Sequence, residues 1–483
     1  RRKCPHRLYA MPESAPPPTA KLDHCCGLLE RGKSDEERFV GLLLASKIVA
    51  APAGLRRVCD AALAFLARLV QSPPPPDTVG GGNPYRALAL SVLASFVTDD
   101  ELRSRADVLA CAVAAGAAVL GAGAEATDDE LRDCASVLGV ALCQPAGLAE
   151  AVRVQVISSL AAAAASPLPP ASDAAPGAAP EAAQEAGPAV WRGERGLGVE
   201  AACALLGGAG GHVLAGGEPL FQAASRAAIR SSLLSAAALL GKALAERRDG
   251  ATPARLGAIV ALLRAAEACG GPELSQPPDS GSPLSSSLRC GLGSLLASKV
   301  APAVRADALV AASVCCRLLG PRWLLGPSPL RRPTGPPPRA ASGESIAPTQ
   351  DAERRAATPV GEGALLALLL QLSSVELAMC LYDQPADAVP PAVSALLPEV
   401  CSLLEEALFR LHADADDSEG GEAEEEGGGG ASLRTCWLDA LTDDELLSAQ
   451  RAFHTAAKTA LDYVEAVVAE AATEAAEAAA ASA

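Results

Sequence analysis

Four times in this chain a Ser/Thr-x-x-Glu tetrad stands immediately before an apolar stretch: Ser34–Glu37, Thr98–Glu101, Thr127–Glu130 and Thr442–Glu445. In such a tetrad the hydroxyl accepts from a free N–H of the first helical turn. The Glu carboxylate reaches back to the amide of the first residue, so two orphan donors are satisfied at once. Acidic residues between them add negative charge at the positive end of the helix dipole. The helix body behind the first box is also used twice. Gly41-Leu-Leu-Leu-Ala-Ser-Lys-Ile48 and Gly293-Ser-Leu-Leu-Ala-Ser-Lys-Val300 share six of eight residues, and each precedes an Ala-Pro pair (Pro52, Pro302) and an arginine. One helical unit used repeatedly is a solenoid signature, because a helix with so wide an apolar face is stable only as one layer of a stack.

At 483 residues, half of them apolar but only 3% aromatic, the chain suits closely packed small-residue helices and lacks the β-branched and aromatic content of sheets. The expected fold is all-α, an α-solenoid with low-complexity insertions that cannot bury a core. The boundaries expected are a disordered N-terminus over 1–27, helical blocks over 28–165 and 191–320 and helical repeats over 361–411. Between them fall a linker at 166–190, a Pro-rich insertion at 321–360 and an acidic loop at 412–432. Final helices and an Ala/Glu tail fill 433–483. A helix junction is expected at the Gly-rich stretch 207–218, and Met11 reads as a start residue.

The net charge of −17 is uneven: residues 401–483 hold 19 acidic and 4 basic residues, a net of −15, and the rest hold 38 and 36, a net of −2. No concentrated basic face of the kind that binds nucleic acid is present. Fifteen cysteines are scattered or adjacent (Cys25-Cys26, Cys315-Cys316), mostly on apolar helical faces, which reads as reduced, buried thiols in a cytoplasmic protein. The apolar run Ala364–Leu381 carries Gln371 and Glu376, so it reads as a core helix rather than a membrane span.

No cofactor or metal is expected. His24-Cys25-Cys26 lacks zinc spacing, the glycines of 207–217 follow no strand and precede no Gly-Lys-Ser/Thr, and no Gly-x-Ser-x-Gly elbow occurs. Features of an interaction type remain. Lys47, Arg56 and Arg57 near helix ends are candidate partner-binding residues. Ser342, three residues after Arg339, is a candidate phosphorylation site inside the Pro-rich insertion.

Several helix bodies resemble the neurochondrin family: Arg38-Phe-Val-Gly-Leu-Leu-Leu-Ala-Ser-Lys47 with Arg56-Arg57, Ala87–Phe96, Gly293–Lys299 and Leu365–Leu377. The resemblance implies an armadillo/HEAT-like repeat and a non-enzymatic cytoplasmic scaffold linked to kinase signalling, whose partners are other proteins. It further implies helices beyond those present here, and membrane association through N-terminal acylated cysteines. No cysteine directly follows Met11, however, and membrane association is not indicated by the sequence itself. The function expected is therefore a scaffold or adaptor. The alternatives are a membrane-peripheral regulator anchored by acyl-cysteine and, less favoured, a helical enzyme.

Overall fold

A computed structural model describes residues 18–48, 52–75, 82–168, 192–193, 196–215, 223–270, 282–325, 363–382, 391–419 and 441–482. They form an all-α helical repeat, the expected class, and a two-residue antiparallel pair (Arg192–Gly193 with Gly196–Leu197) is the sole extended pairing among them. The chain divides into two compact units, residues 1–154 and 155–483.

The first unit holds α1 (Pro18–Arg31), α2 (Asp35–Ile48), α3 (Pro52–Gln71), α4 (Pro84–Phe96), α5 (Ala106–Ala122), α6 (Asp128–Leu142) and α7 (Pro145–Arg153). Packing runs between alternate helices, α1 on α3, α3 on α5, α5 on α7 and α4 on α6, with sequential neighbours paired across. The core is built of medium and small residues: Leu66, Leu90, Leu93, Phe96, Leu109, Leu131 and Leu138 are fully buried, with Ala62, Ala89, Ala112 and Ala141 between them.

The second unit holds α8 (Val156–Ala164), α9 (Val199–Ala215), α10 (Ala223–Glu246), α11 (Thr252–Ala268), α12 (Pro283–Leu296), α13 (Pro302–Leu319), α14 (Ala364–Leu381), α15 (Pro391–Glu419) and α16 (Asp443–Ser482). Here the alternation is complete. One layer is α9, α11, α13 and α15, and the other is α8, α10, α12, α14 and α16, each helix touching the next of its own layer. This is how a helical repeat buries faces that no single helix could bury alone. The two octamers stand at corresponding joints: one fills the second half of α2 before Pro52 opens α3, and the other runs from the last turn of α12 into the four residues that lead to Ala301 and Pro302 of α13.

Two of the four boxes form in full. Thr127 accepts from the Glu130 N–H at 3.2 Å while Glu130 accepts from the Thr127 N–H at 2.8 Å, and Thr442 and Glu445 exchange the same two bonds. Ser34 accepts from the Glu37 N–H, but Glu37 takes the N–H of Lys33 instead of Ser34. The box at Thr98 does not form. Its hydroxyl donates to the Ser95 carbonyl, and Asp99, one residue on, accepts from the N–H groups of Glu101 and Leu102. A 3-10 turn at Leu102–Ser104 precedes α5, so the helix begins later than its sequence pattern suggests.

Other expectations are corrected. The N-terminus read as disordered to residue 27 is helical from Pro18, because Cys25, Cys26 and Leu29 give it a buried face. The glycines of 207–211 lie inside α9 rather than at a junction. A Cβ on Gly210 would stand 2.5 Å from the Ala261 carbonyl oxygen, so this glycine lets α9 approach α11. The single helix expected over 146–165 is broken into α7 and α8 at Gln155, which takes a left-handed φ of 63°. Of the acidic loop expected over 412–432, residues up to Glu419 continue α15, and the rest lies outside the described residues. So do residues 169–190 of the linker and 326–362, which include most of the Pro-rich insertion.

The helices Ala106–Glu125, Ser225–Glu246 and Ala364–Leu381 are long and apolar enough to cross a membrane by length and composition. In α14 the polar Glu376 is turned inward and paired with Arg305 of α13.

Candidate functional site

The arginines singled out by sequence are engaged within the first unit. Arg56, at the start of α3, makes a two-pronged contact with Asp99 (Nε–Oδ1 3.2 Å, Nη2–Oδ2 3.3 Å) and also pairs with Glu101. Asp99 is held below the usual carboxylate range first by the Leu102 N–H and then by Arg56. Arg57 reaches Asp23 of α1 at 2.8 Å. The two residues therefore join α3 to its neighbours on either side. Lys47 lies in α2, but its side chain, like all of Ser342, is outside the described residues.

Burial suppresses the chemistry of most described thiols, although Cys401, expected on an apolar face, is exposed. Cys59, Cys134 and Cys203 are pushed up to about 12 and Cys111 to about 11, all chiefly by desolvation. Such thiols are not nucleophiles near neutral pH. Cys25 and Cys26, the pair nearest the N-terminus of the described residues, face inward from α1 with raised values from the same cause. No group of three or more His, Cys, Asp and Glu that could hold a metal occurs among the described residues.

What the second unit does present is a groove on the layer of α8, α10 and α12. Its larger part, about 580 Å³, runs between α10 and α12. The floor is Ala227, Ser231, Leu234, Ser235, Ala238 and Leu239 of α10, the wall is Pro283, Leu284 and Ser287 of α12, and Arg230 and Lys242 stand toward its two ends. A second hollow of about 270 Å³ adjoins it, sharing Leu239 and Lys242. It continues past Ala243, Glu246 and Arg247 to Ala162, Ala165 and Pro167 beyond the end of α8.

The groove exists because its helices are lined with small side chains and two of them nearly touch. A Cβ on Gly291 of α12 would lie 2.2 Å from the Gly241 carbonyl oxygen of α10. Beside that contact, Ala and Ser leave volume that Leu or Phe would fill. Ser282 caps α12 by accepting from the Ser285 N–H, which fixes where Pro283 and Leu284 stand. Leu239 is 38% exposed on the groove floor. Lys242 approaches Glu246 only at 3.9 Å, and both are exposed. Arg247 donates to the Ala165 carbonyl at the groove's far end. One turn before Arg230, the Arg226 Nε is buried with no hydrogen-bond partner among the described residues.

The arrangement is an open, apolar trough rimmed by Arg230, Lys242 and Arg247 against the single acid Glu246. Its acid, Glu246, stands 3.9 Å from Lys242, and both are exposed to solvent. Its chemistry is that of a helix-in-groove or peptide site that favours negative charge. None of these residues carries a sequence motif; the one legible trace is the Ala/Ser stripe at 227, 231, 235 and 238, bracketed by Arg230 and Lys242.

The Neurochondrin family model matches residues 16–176 and 268–426. No curated protein matches the chain. The two matched regions include α1 to α8 and α12 to α15, so α10, the floor of the groove, lies between them.

Proposed function

The chain belongs to the neurochondrin family, and from that premise we propose that it is a non-enzymatic scaffold that binds other proteins through its helical-repeat surface. The observation that carries this reading is the α8–α10–α12 groove, apolar between α10 and α12, mixed in polarity toward α8 and cationic at its rim. Its ligand is an amphipathic segment with small or aliphatic anchors and acidic flanks. An aliphatic stripe desolvates the Ala/Ser floor, and carboxylates meet Arg230 and Lys242. Cytoplasmic kinase-linked signalling, the setting implied by the resemblance, is part of the same proposal. Anchoring through acylated Cys25-Cys26 is disfavoured, because both thiols are buried.

The test is fluorescence anisotropy with a labelled amphipathic helical peptide carrying Leu at i, i+3 and i+7 and Glu elsewhere. A peptide with Lys in place of Glu is the control. We expect saturable binding of the acidic peptide only, weakened at least tenfold by Lys242→Glu with Ser235→Trp, or about 1.4 kcal/mol. Equal binding of both peptides, or no effect of the two substitutions, overturns the groove reading.

A further inference from the structure

The last helix carries a surface that the other described residues of the second unit leave uncovered. The first half of α16 is anchored: Ala449, Ala452 and Ala456 are buried, the helix packs on α14, and Gln371 donates to Ser448. Beyond Lys458 this changes. Leu461, Val464 and Val468 are 63%, 55% and 62% exposed, and Ala471, Ala475 and Ala478 are exposed after them. Spacings of 3, 4, 3, 4 and 3 place these six residues on one seam. From Thr459 to Ser482 the charged residues are Asp462, Glu465, Glu470, Glu474 and Glu477, all acidic.

This is an aliphatic, small-residue helix with acidic flanks, the ligand chemistry that the α8–α10–α12 groove favours. The dimensions agree as well. Arg230 to Glu246 along α10 and Leu461 to Ala478 along α16 each span about 25 Å of helix at 1.5 Å per residue. The same copy cannot supply both partners. The anchor on α14 and the seam belong to one continuous helix, and folding the seam back would break it. Acidic seams pairing with each other would bring like charges together, whereas the groove brings cations.

We propose that the exposed half of α16 docks in the α8–α10–α12 groove of a second copy of this chain, with Leu461, Val464 and Val468 on the Ala/Ser floor and the acidic flank beside Arg230 and Lys242. The proposal rests on the groove reading above. The contact is heterologous, so each copy offers one helix and one groove, and association extends from copy to copy. Because part of the attraction is between exposed charges, it weakens as salt shortens the Debye length from about 10 Å at 0.1 M toward 3 Å at 1 M.

The experiment is sedimentation velocity of the full chain over a concentration series, paired with anisotropy of a labelled peptide spanning residues 457–482. The parent is expected to show a concentration-dependent rise in sedimentation coefficient. A seam variant (Leu461→Asp with Val468→Asp) and a groove variant (Ser235→Trp with Lys242→Glu) are each expected to stay monomeric. An equimolar mixture of the two restores one intact helix and one intact groove, and should stop at a dimer. The peptide should bind the parent and the seam variant, and bind the groove variant at least tenfold more weakly. A monomeric parent that ignores the peptide overturns the proposal, and the unrelated acidic peptide of the preceding test then shows whether the groove reading stands without it. Association that persists in the groove variant also overturns it, since the seam must then pair elsewhere.

Discussion

Replacing Glu130 by Gln tests whether the helix caps of the first unit also fasten its layers. Glu130 is 0% exposed and accepts four hydrogen bonds: from the Thr127 N–H at 2.8 Å and hydroxyl at 3.2 Å, from Arg86 Nε at 2.8 Å and from the Asn83 N–H at 3.3 Å. One carboxylate thus closes the cap of α6 and holds the start of α4. Gln keeps the shape but removes the charge, and its amide turns donors toward donors. Arg86, itself nearly buried, is left as an uncompensated cation. Breaking one side of such a pair costs about 3–5 kcal/mol. For a unit of this size that corresponds to a melting shift of roughly 6–20 °C. Burial pushes the Glu130 carboxyl up, but the bonds from Arg86 and the Thr127 N–H outweigh it and hold it below the usual carboxylate range. With the folded value depressed, the contribution is fully present above the unfolded value near about 4.3 and is lost as pH falls through the folded one. The gap between parent and variant should therefore be constant from pH 8 to 5 and close below about pH 4. Thermal denaturation by circular dichroism gives the midpoint, and hydrogen exchange of residues 83–142 shows that the loss is local. A difference within about 0.5 kcal/mol at pH 7, or one that does not change with pH, refutes the reasoning.

Two further outcomes are expected. Thr98→Ala should change the denaturation midpoint by no more than about 0.5 kcal/mol, whereas Thr127→Ala loses about 1 kcal/mol with its cap and Asp99→Ala shifts the midpoint more than Thr98→Ala does; equal shifts for Thr98 and Asp99 would return the cap to the threonine. Gly291→Val should cost at least about 1–3 kcal/mol by overpacking against the Gly241 carbonyl and should weaken capture of the acidic peptide, while Gly207→Ala, whose Cβ meets nothing within 4 Å, should leave both urea midpoint and peptide affinity in place or slightly improved.

Much of the fold is legible because local chemistry and packing agree. The boxes at Thr127 and Thr442 open helices where their pattern says, and both octamers precede a proline-started helix. Where reading fails, a neighbour competes for the same atoms. At Thr98 the carboxylate of Asp99 is the stronger acceptor, and Arg56, more than forty residues away, fixes it in place. At 207–211 glycine signals a break in solvent, but Gly210, against Ala261, is the residue that lets two backbones meet. Arg56 and Arg57 look like a free basic edge because their partners, Asp99 and Asp23, are distant in sequence. The groove leaves only a faint Ala/Ser stripe in the sequence, for the converse reason. It is defined by side chains too small to leave a pattern, from helices spread over residues 162–287.

The same economy of side chains explains why cations in this chain divide into two kinds. Small-residue helices approach closely but offer little apolar area to fix their register, so buried arginines do it through backbone carbonyls. Arg255 donates to Ala164 and Ser166 at 2.8 Å each and pairs with Asp249, while Arg289 donates to the Trp323 carbonyl and Trp323 returns a bond to Ser285. Arg317 bridges Glu267 of α11 and Glu399 of α15. Removing Arg255 or Arg289 leaves a buried acceptor or charge uncompensated, so neither can be lent to a partner. Arg317, itself exposed, is held by two carboxylates on two helices. Lys242 is different. Its contact with Glu246 is long, exposed and within one helix, a class of pair that contributes only about 0.3–0.5 kcal/mol. Exchanging Glu246 for a partner's carboxylate therefore costs the fold almost nothing, which is what a reversible docking site requires and what Arg56, paired with the buried Asp99, does not offer.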